Sequence, residues 1–230
     1  LILSAIQAKS VLVGSIVARL PGKASRKPKY RRVQNFCREV KIDCSAVAVF
    51  IVKLLSSVLD DKWTLALDRT NWTSRRNEVN ILSLSVCLGD VAIPLFGTDL
   101  RRQGNSPTSQ RTALLERFIE VLGKDRIGLL VGDREFVGED WFGWLQRTKI
   151  PYVMRLRENF MVLAGSGRST QVKNCFRNLK LHEYRELGMR KVCGRKHRLS
   201  AVRLPGNEFV ILAGFMTPED VTDADLYLRR

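Results

Sequence analysis

The chain has 230 residues, 45% hydrophobic and 27% charged, which excludes a disordered chain and allows one large domain or two small ones. Its 39 Lys and Arg against 23 Asp and Glu give a net charge of +16, an excess that favours a polyanionic partner through counterion release. Five cysteines (Cys37, Cys44, Cys87, Cys175, Cys193) without a C-x-x-C spacing exclude a structural zinc site and a secreted disulfide framework.

Those cysteines are expected to be reduced thiols packed as small apolar residues, and His182 and His197 to be surface residues. The cations are clustered. Residues 19–41 hold nine Lys and Arg against Glu39, and residues 168–198 hold ten against Glu183 and Glu186. Neither cluster has the apolar stripe of a membrane-surface helix, so nucleic acid is the better partner. No stretch has the length and composition of a membrane span, and a soluble, intracellular protein is expected.

In chain order, residues 1–60 read as helical and basic, a DNA-binding region without a recognition-helix signature. Within them 45–59 predicts a buried helix, 30–40 an amphipathic basic one, and 21–28 a basic loop punctuated by Gly and Pro. From Trp63 the texture changes. Residues 63–68 (WTLALD) form a short apolar run ending in an acid, and 79–88 alternates with a period near two. Gly89-Asp90 is a hairpin dipeptide leading into 91–96. Three antiparallel strands follow from this pattern.

A polar loop over 101–110 precedes a helix over 111–122, with Gly123 at its C-cap. Residues 127–131 (IGLLV) have the unbroken apolarity of a strand buried on both faces, and Asp133 comes soon after. A helix over 139–148 and a strand over 152–156 complete a strand–helix–strand unit. Residues 160–210 are basic and Gly-punctuated, and are read as an insertion carrying β structure. A last helix starts within 218–225, with Thr217 or Thr222 as its cap.

Asp68 and Asp133 each close an apolar strand. Buried strand ends tolerate acids when these are paired or bound to metal, and ligands of open α/β sheets gather at the carboxyl ends of strands. Two such acids could hold divalent cations for phosphoryl transfer, and Mg²⁺ suits them because it needs few carboxylates. A turn or capping role is the alternative for each acid. Arg69 and Arg134 could contact phosphates or form structural ion pairs. Asn71 could hold the turn, and Trp72 could belong to the core or stack on an unpaired base.

The strings LALDRTNW (65–72), GNSPTSQRTALLERF (104–118) and GDREFVGEDWFGWL (132–145) resemble the DDE-type transposases of the large bacterial insertion-sequence family numbered four. YLRR (227–230) resembles the opening of that family's Tyr-x-x-Arg-x-x-x-Glu helix. The resemblance covers roughly residue 19 to the end.

It implies an α/β fold, a ribonuclease H-like mixed sheet with flanking helices, an N-terminal helical region and an inserted β-rich segment. The implied domains are 1–60 (basic, helical), 61–159 (catalytic core), 160–212 (insertion) and 213–230 (start of the final core segment). It makes Asp68 and Asp133 the first two catalytic and metal-binding acids, with Mg²⁺ or Mn²⁺ as cofactor. The third acid falls four residues beyond Arg230, so a C-terminally truncated, inactive chain is expected. Tyr227 and Arg230 match the signature that contacts transposon-end DNA, while Arg155 and Arg157 are phosphate contacts or members of a surface salt bridge.

The implied partners are double-stranded DNA, at the transposon ends and the target, and a second copy in a synaptic homodimer. The implied place is the bacterial cytoplasm, at the nucleoid. The implied activity is metal-dependent phosphodiester hydrolysis and strand transfer. A remnant that binds DNA without catalysis is the alternative, and a stand-alone nuclease of the same fold is a third reading.

Overall fold

The computed structural model describes residues 1–74, 77–101, 103–163, 167–217 and 222–228. Two compact units divide at residue 44.

The first unit holds α1 (Ile2–Ala8), α2 (Val13–Arg19) and α3 (Arg26–Glu39). Its core is thin. Ile16, Val17 and Val33 are buried, with Ala5, Val13 and Leu20 packed against them. α3 starts at Arg26, earlier than the sequence predicts, because Pro28 falls in the first turn where its missing N–H is not needed. Lys29 Nζ donates to the carbonyl of Leu20 (2.7 Å), just beyond α2, a placement that suits a cation near a helix C-terminus. Arg26, Lys27, Tyr30, Arg31 and Gln34 line one groove along the outer face of α3.

The second unit begins with α4 (Cys44–Leu54), on the far side of the unit boundary from the basic helices with which the sequence groups it. Ala48 is its buried residue, and Val47, Phe50 and Leu54 are exposed, so the expected buried helix lies on the outside with one face engaged.

Then come β1 (Trp63–Ser74), β2 (Asn77–Leu88), β3 (Val91–Asp99), α5 (Thr108–Leu122), β4 (Ile127–Gly132), α6 (Glu139–Arg147) and β5 (Tyr152–Leu156). A two-stranded ribbon of β6 (Met161–Leu163) and β7 (Ser169–Gln171) follows. β8 (Tyr184–Val192), β9 (Arg195–Leu204), β10 (Glu208–Phe215) and α7 (Asp223–Leu228) complete the described chain.

The main sheet has eight strands in the order β3-β2-β1-β4-β5-β10-β9-β8. β1, β4 and β5 run parallel, and β2 and β3 form the antiparallel meander that the Gly89-Asp90 turn predicts. This is the α/β fold expected, a mixed sheet with flanking helices. Alternation then sorts the side chains. Leu65, Leu67, Leu82, Leu84 and Val86 pack under Leu114, Leu115 and Phe118 of α5 and Trp141, Phe142 and Leu145 of α6. Ala66, Leu129, Val131, Val153 and Leu212 pack on the other side, against Ala224 and Tyr227 of α7. β4 serves both layers, Leu130 on one side and Val131 on the other, which accounts for its unbroken apolar sequence.

The β structure expected within 160–212 is present, but β8, β9 and β10 extend the main sheet. β10 pairs antiparallel with β5 from Ile211↔Leu156 to Phe215↔Tyr152. The α7 cap is Thr222, whose Oγ1 accepts from Asp225 N (3.0 Å) and donates to Asp225 Oδ2 (2.6 Å). Asp223 is fully buried beside Arg198, Ser200 and Gly214. A Cβ at Gly214 would stand 2.4 Å from its carboxylate, so only glycine admits this docking of α7. All five cysteines are free thiols, but Cys37 and Cys44 are exposed rather than packed. No single helix among the described residues is long and apolar enough to cross a membrane.

His182 is exposed as expected, but His197 is fully buried. Its Nδ1 lies 3.0 Å from the carbonyl of Arg195, which can only accept, so Nδ1 carries the proton and Nε2 accepts from the Tyr152 hydroxyl at 2.7 Å. Burial lowers its pKa to about 4. The folded state therefore resists a proton that the unfolded chain accepts below about 6.5. Stability contributed by neutral His197 is present above pH 6.5 and is lost as the pH falls toward 4, roughly 3 kcal/mol at full extent. Urea unfolding at pH 7 and pH 5 should show this slope flattened in His197→Gln and unchanged in His182→Gln. Equal slopes in all three proteins would remove the assignment.

Candidate active site

The parallel ladder between β1 and β4 pairs Leu67 with Gly132, so the next residues, Asp68 and Asp133, stand side by side where that ladder ends. The sequence places Asp68 at the end of its strand. In the structure β1 runs on to Ser74 because β2 still pairs with it, and it is β4 that stops. The edge of β1 that faced β4 is thereby opened at the acid. Gly132 is closely packed at this point, since a Cβ there would lie 2.7 Å from Met154 Sδ and 3.2 Å from Phe136.

Asp68 is exposed and Asp133 half-buried. Each Oδ1 accepts the next residue's backbone N–H, from Arg69 and from Arg134, both at 2.8 Å. Asp133 Oδ1 also accepts from the Tyr227 hydroxyl at 3.4 Å. Among the described residues no hydrogen bond reaches Oδ2 of either acid. Both acids line a cleft of about 640 Å³ with Asn105, Arg134, Arg157, Asn159 and Lys173. They also border a hollow of about 350 Å³ with Thr70, Ser83 and Ser85.

Two carboxylates, each oriented through one oxygen and uncommitted at the other, fit a hard cation that keeps several waters. Among the described residues no group of three His, Cys, Asp or Glu forms a fuller ligand set.

The remaining expected residues divide. Arg134 and Arg157 are exposed in the cleft and make no ion pair among the described residues. Arg69 is committed to a bidentate pair with Glu135, Nε to Oε1 at 3.0 Å and Nη2 to Oε2 at 2.8 Å, and reaches Asn80 Oδ1 at 3.3 Å. The Glu135 hydrogen bond holds its pKa above the usual arginine value. Arg155 pairs with Glu208 of β10, and of the two arginines only Arg157 lines the cleft. Asn71 is exposed on β1 opposite Asn80. The Trp72 side chain and Arg230 lie outside the described residues. Tyr227, implied as a DNA contact, is 2% exposed and holds Asp133 from the core side.

A second set of residues carries the site without having been singled out by sequence. Arg111, in the first turn of α5, is buried. It donates to Ser106 Oγ (2.8 Å), the Ser106 carbonyl (2.6 Å) and the Glu135 carbonyl (3.1 Å). Its guanidinium lies 5.2 Å from the Phe136 ring centroid and 6.0 Å from that of Trp141. Burial lowers its pKa to about 10, leaving it charged at neutral pH. Asn80 Nδ2 donates to the Gly104 carbonyl at 3.1 Å. Loop 104–106 and the turn after Asp133 are thus tied to one another. The only sequence signal was their shared presence in GNSPTSQR and GDREF.

A family model described as a transposase DDE domain matches residues 97–228. The chain belongs to the transposase DDE domain family. The matched span includes Asp133, Arg111 and Tyr227 and starts after Asp68. No curated protein matches the chain. Among solved structures, the chain is similar to a piggyBac transposase in a synaptic complex with hairpin DNA, at 12% identity and a TM-score of 0.44. That match covers 86% of this chain and 43% of the other, so the chain spans less than half of that transposase.

A simian T-cell lymphotropic virus intasome bound to the PP2A regulatory subunit B56 gamma is similar at 10% identity and a TM-score of 0.35, covering 70% and 81% of the two chains. Endonuclease V from Bacillus subtilis gives 10% identity and a TM-score of 0.35, covering 76% and 77%.

Proposed function

We propose that the chain is the catalytic part of a DNA transposase of the insertion-sequence family numbered four, cleaving and joining phosphodiesters at the ends of an element. One observation carries the reading: Asp68 and Asp133, 65 residues apart, meet in one cleft where the β1–β4 ladder ends, within a transposase DDE domain family chain. Asp68 and Asp133 would hold Mg²⁺ or Mn²⁺, which supplies charge stabilisation to the oxygens exchanged at phosphorus. Tyr227 and the Arg134 N–H orient the Asp133 carboxylate. The Arg69–Glu135 pair fixes the turn that carries it. Arg134 and Arg157 face the cleft as phosphate contacts.

On the resemblance we place the third carboxylate four residues beyond Arg230 and assign Arg230 to transposon-end DNA. The same resemblance supports double-stranded DNA as substrate, a homodimer in the synaptic complex, and action in the bacterial cytoplasm at the nucleoid. The basic groove of α3 supports a DNA-binding role for the N-terminal helices.

A second reading is a protein that binds DNA without cutting it, supported by the basic groove along α3. Supercoiled plasmid separates the two readings. A protein extended through the expected Glu should nick it with Mg²⁺, and its Asp68→Asn variant should not. An extended protein that binds plasmid and never nicks it would leave the second reading.

A further inference from the structure

We propose that Asn105 and Lys173 grip the backbone of the DNA strand being cleaved, from opposite walls of the Asp68–Asp133 cleft. The proposal rests on the reading of that cleft as the cleavage site, and names contacts that the sequence did not single out. Asn105 is placed by both neighbours. The Gly104 carbonyl accepts from Asn80 Nδ2, Gly104 takes a left-handed φ of 84°, and Ser106 is held twice by buried Arg111.

Lys173 stands on the other wall, in a short 3-10 turn over Val172–Phe176. Buried Val172 and Phe176 seat that turn, and Val172 N→Phe160 O (2.7 Å) and Lys173 N→Glu158 O (3.2 Å) tie it to the chain leaving β5. Both side chains are exposed, line the cleft, and make no hydrogen bond or ion pair among the described residues. Two backbone positions are therefore fixed while their side chains stay uncommitted, an arrangement suited to a ligand.

The chemistry suits phosphate. An amide N–H and an ammonium both donate to non-bridging oxygens and carry no sequence information. Lys173 has a further consequence, because one neutralised phosphate fewer lowers the salt slope of binding by about 0.9.

The test is fluorescence anisotropy of a labelled 30-base-pair duplex with the full 230-residue chain, in Ca²⁺, across a salt series. Lys173→Ala should bind about fivefold more weakly at moderate salt, with a slope shallower by about one. Asn105→Ala should weaken binding about threefold without changing the slope, and near-isosteric Asn105→Asp by more than tenfold, since it sets a carboxylate against phosphate. Lys124→Ala, at the opposite end of β4, should bind like the unaltered chain. Asn105 and Lys173 variants that bind within twofold of the unaltered chain, while Arg134→Ala and Arg157→Ala are weakened, overturn the proposal and leave the cleft's function standing. No salt-dependent DNA binding by the unaltered chain overturns both.

Discussion

Asp68→Asn and Asp133→Asn are each expected to weaken Mn²⁺ binding by at least about 100-fold, measured by titration calorimetry on the 230-residue chain. In a protein extended through the expected third acid, each should also slow strand cleavage by about 10³-fold or more, on the scale of several kcal/mol supplied by a bound metal ion. The substitution is chosen to isolate charge. Asn keeps an Oδ1 that can still accept the N–H of Arg69 or Arg134, so the local turns should persist. What is lost is the second carboxylate oxygen, which nothing among the described residues occupies. DNA binding in the absence of metal should not weaken, because each substitution removes a charge that repels phosphate. Unchanged Mn²⁺ affinity in either variant would place the cation elsewhere and sink the assignment of that acid.

The two variants should differ in one respect. Asp133 is half-buried and accepts from Tyr227, whose ring belongs to the core beneath α7. Asp133→Asn should therefore also lower thermal stability slightly, while exposed Asp68 has no such partner among the described residues.

Local pattern carried the front half of the second unit. Period-two alternation in β2, the Gly89-Asp90 turn and the double burial of β4 are short-range signals, and each appears in the structure where the sequence put it. The pairing of Asp68 with Asp133 was also legible, since both follow apolar runs that had to be neighbouring strands.

Long-range partners were not legible. Arg69 reads as a phosphate contact or an ion-pair member alike until Glu135, 66 residues away, is folded beside it. His197 reads as a surface residue in a basic stretch until Tyr152, 45 residues earlier, supplies a buried hydroxyl. β8 to β10 read as a separate insertion because nothing local to β10 announces that β5 is its partner. The Tyr227 motif was legible as chemistry but not as position: the ring is buried and its hydroxyl donates to Asp133.

The other large effect is expected at Arg111. Burying a guanidinium is costly, and among the described residues no carboxylate lies within salt-bridge distance to offset it. Its stability comes from three hydrogen bonds to fixed acceptors, the rings of Phe136 and Trp141, and the nearby charge of Glu135. Arg111→Met tests which effect wins. Met fills much of the same volume and removes the desolvated charge, but leaves the Ser106 and Glu135 carbonyls without their donor, at about 1–3 kcal/mol for each buried acceptor.

With a desolvation gain of similar size to one acceptor, the net loss should be about 2–3 kcal/mol, a fall in Tm of roughly 6–10 °C for a chain of this length. Arg111→Lys should recover part of the stability, since an ammonium can donate but cannot span three acceptors in one plane. The order of stability expected by calorimetry is Arg, then Lys, then Met, and Mn²⁺ affinity should fall in the same order because the Asp133 turn loses its anchor. A Met variant as stable as the parent, with unchanged Mn²⁺ affinity, would mean that desolvation cancels the hydrogen bonds and that Arg111 does not hold the acids in place.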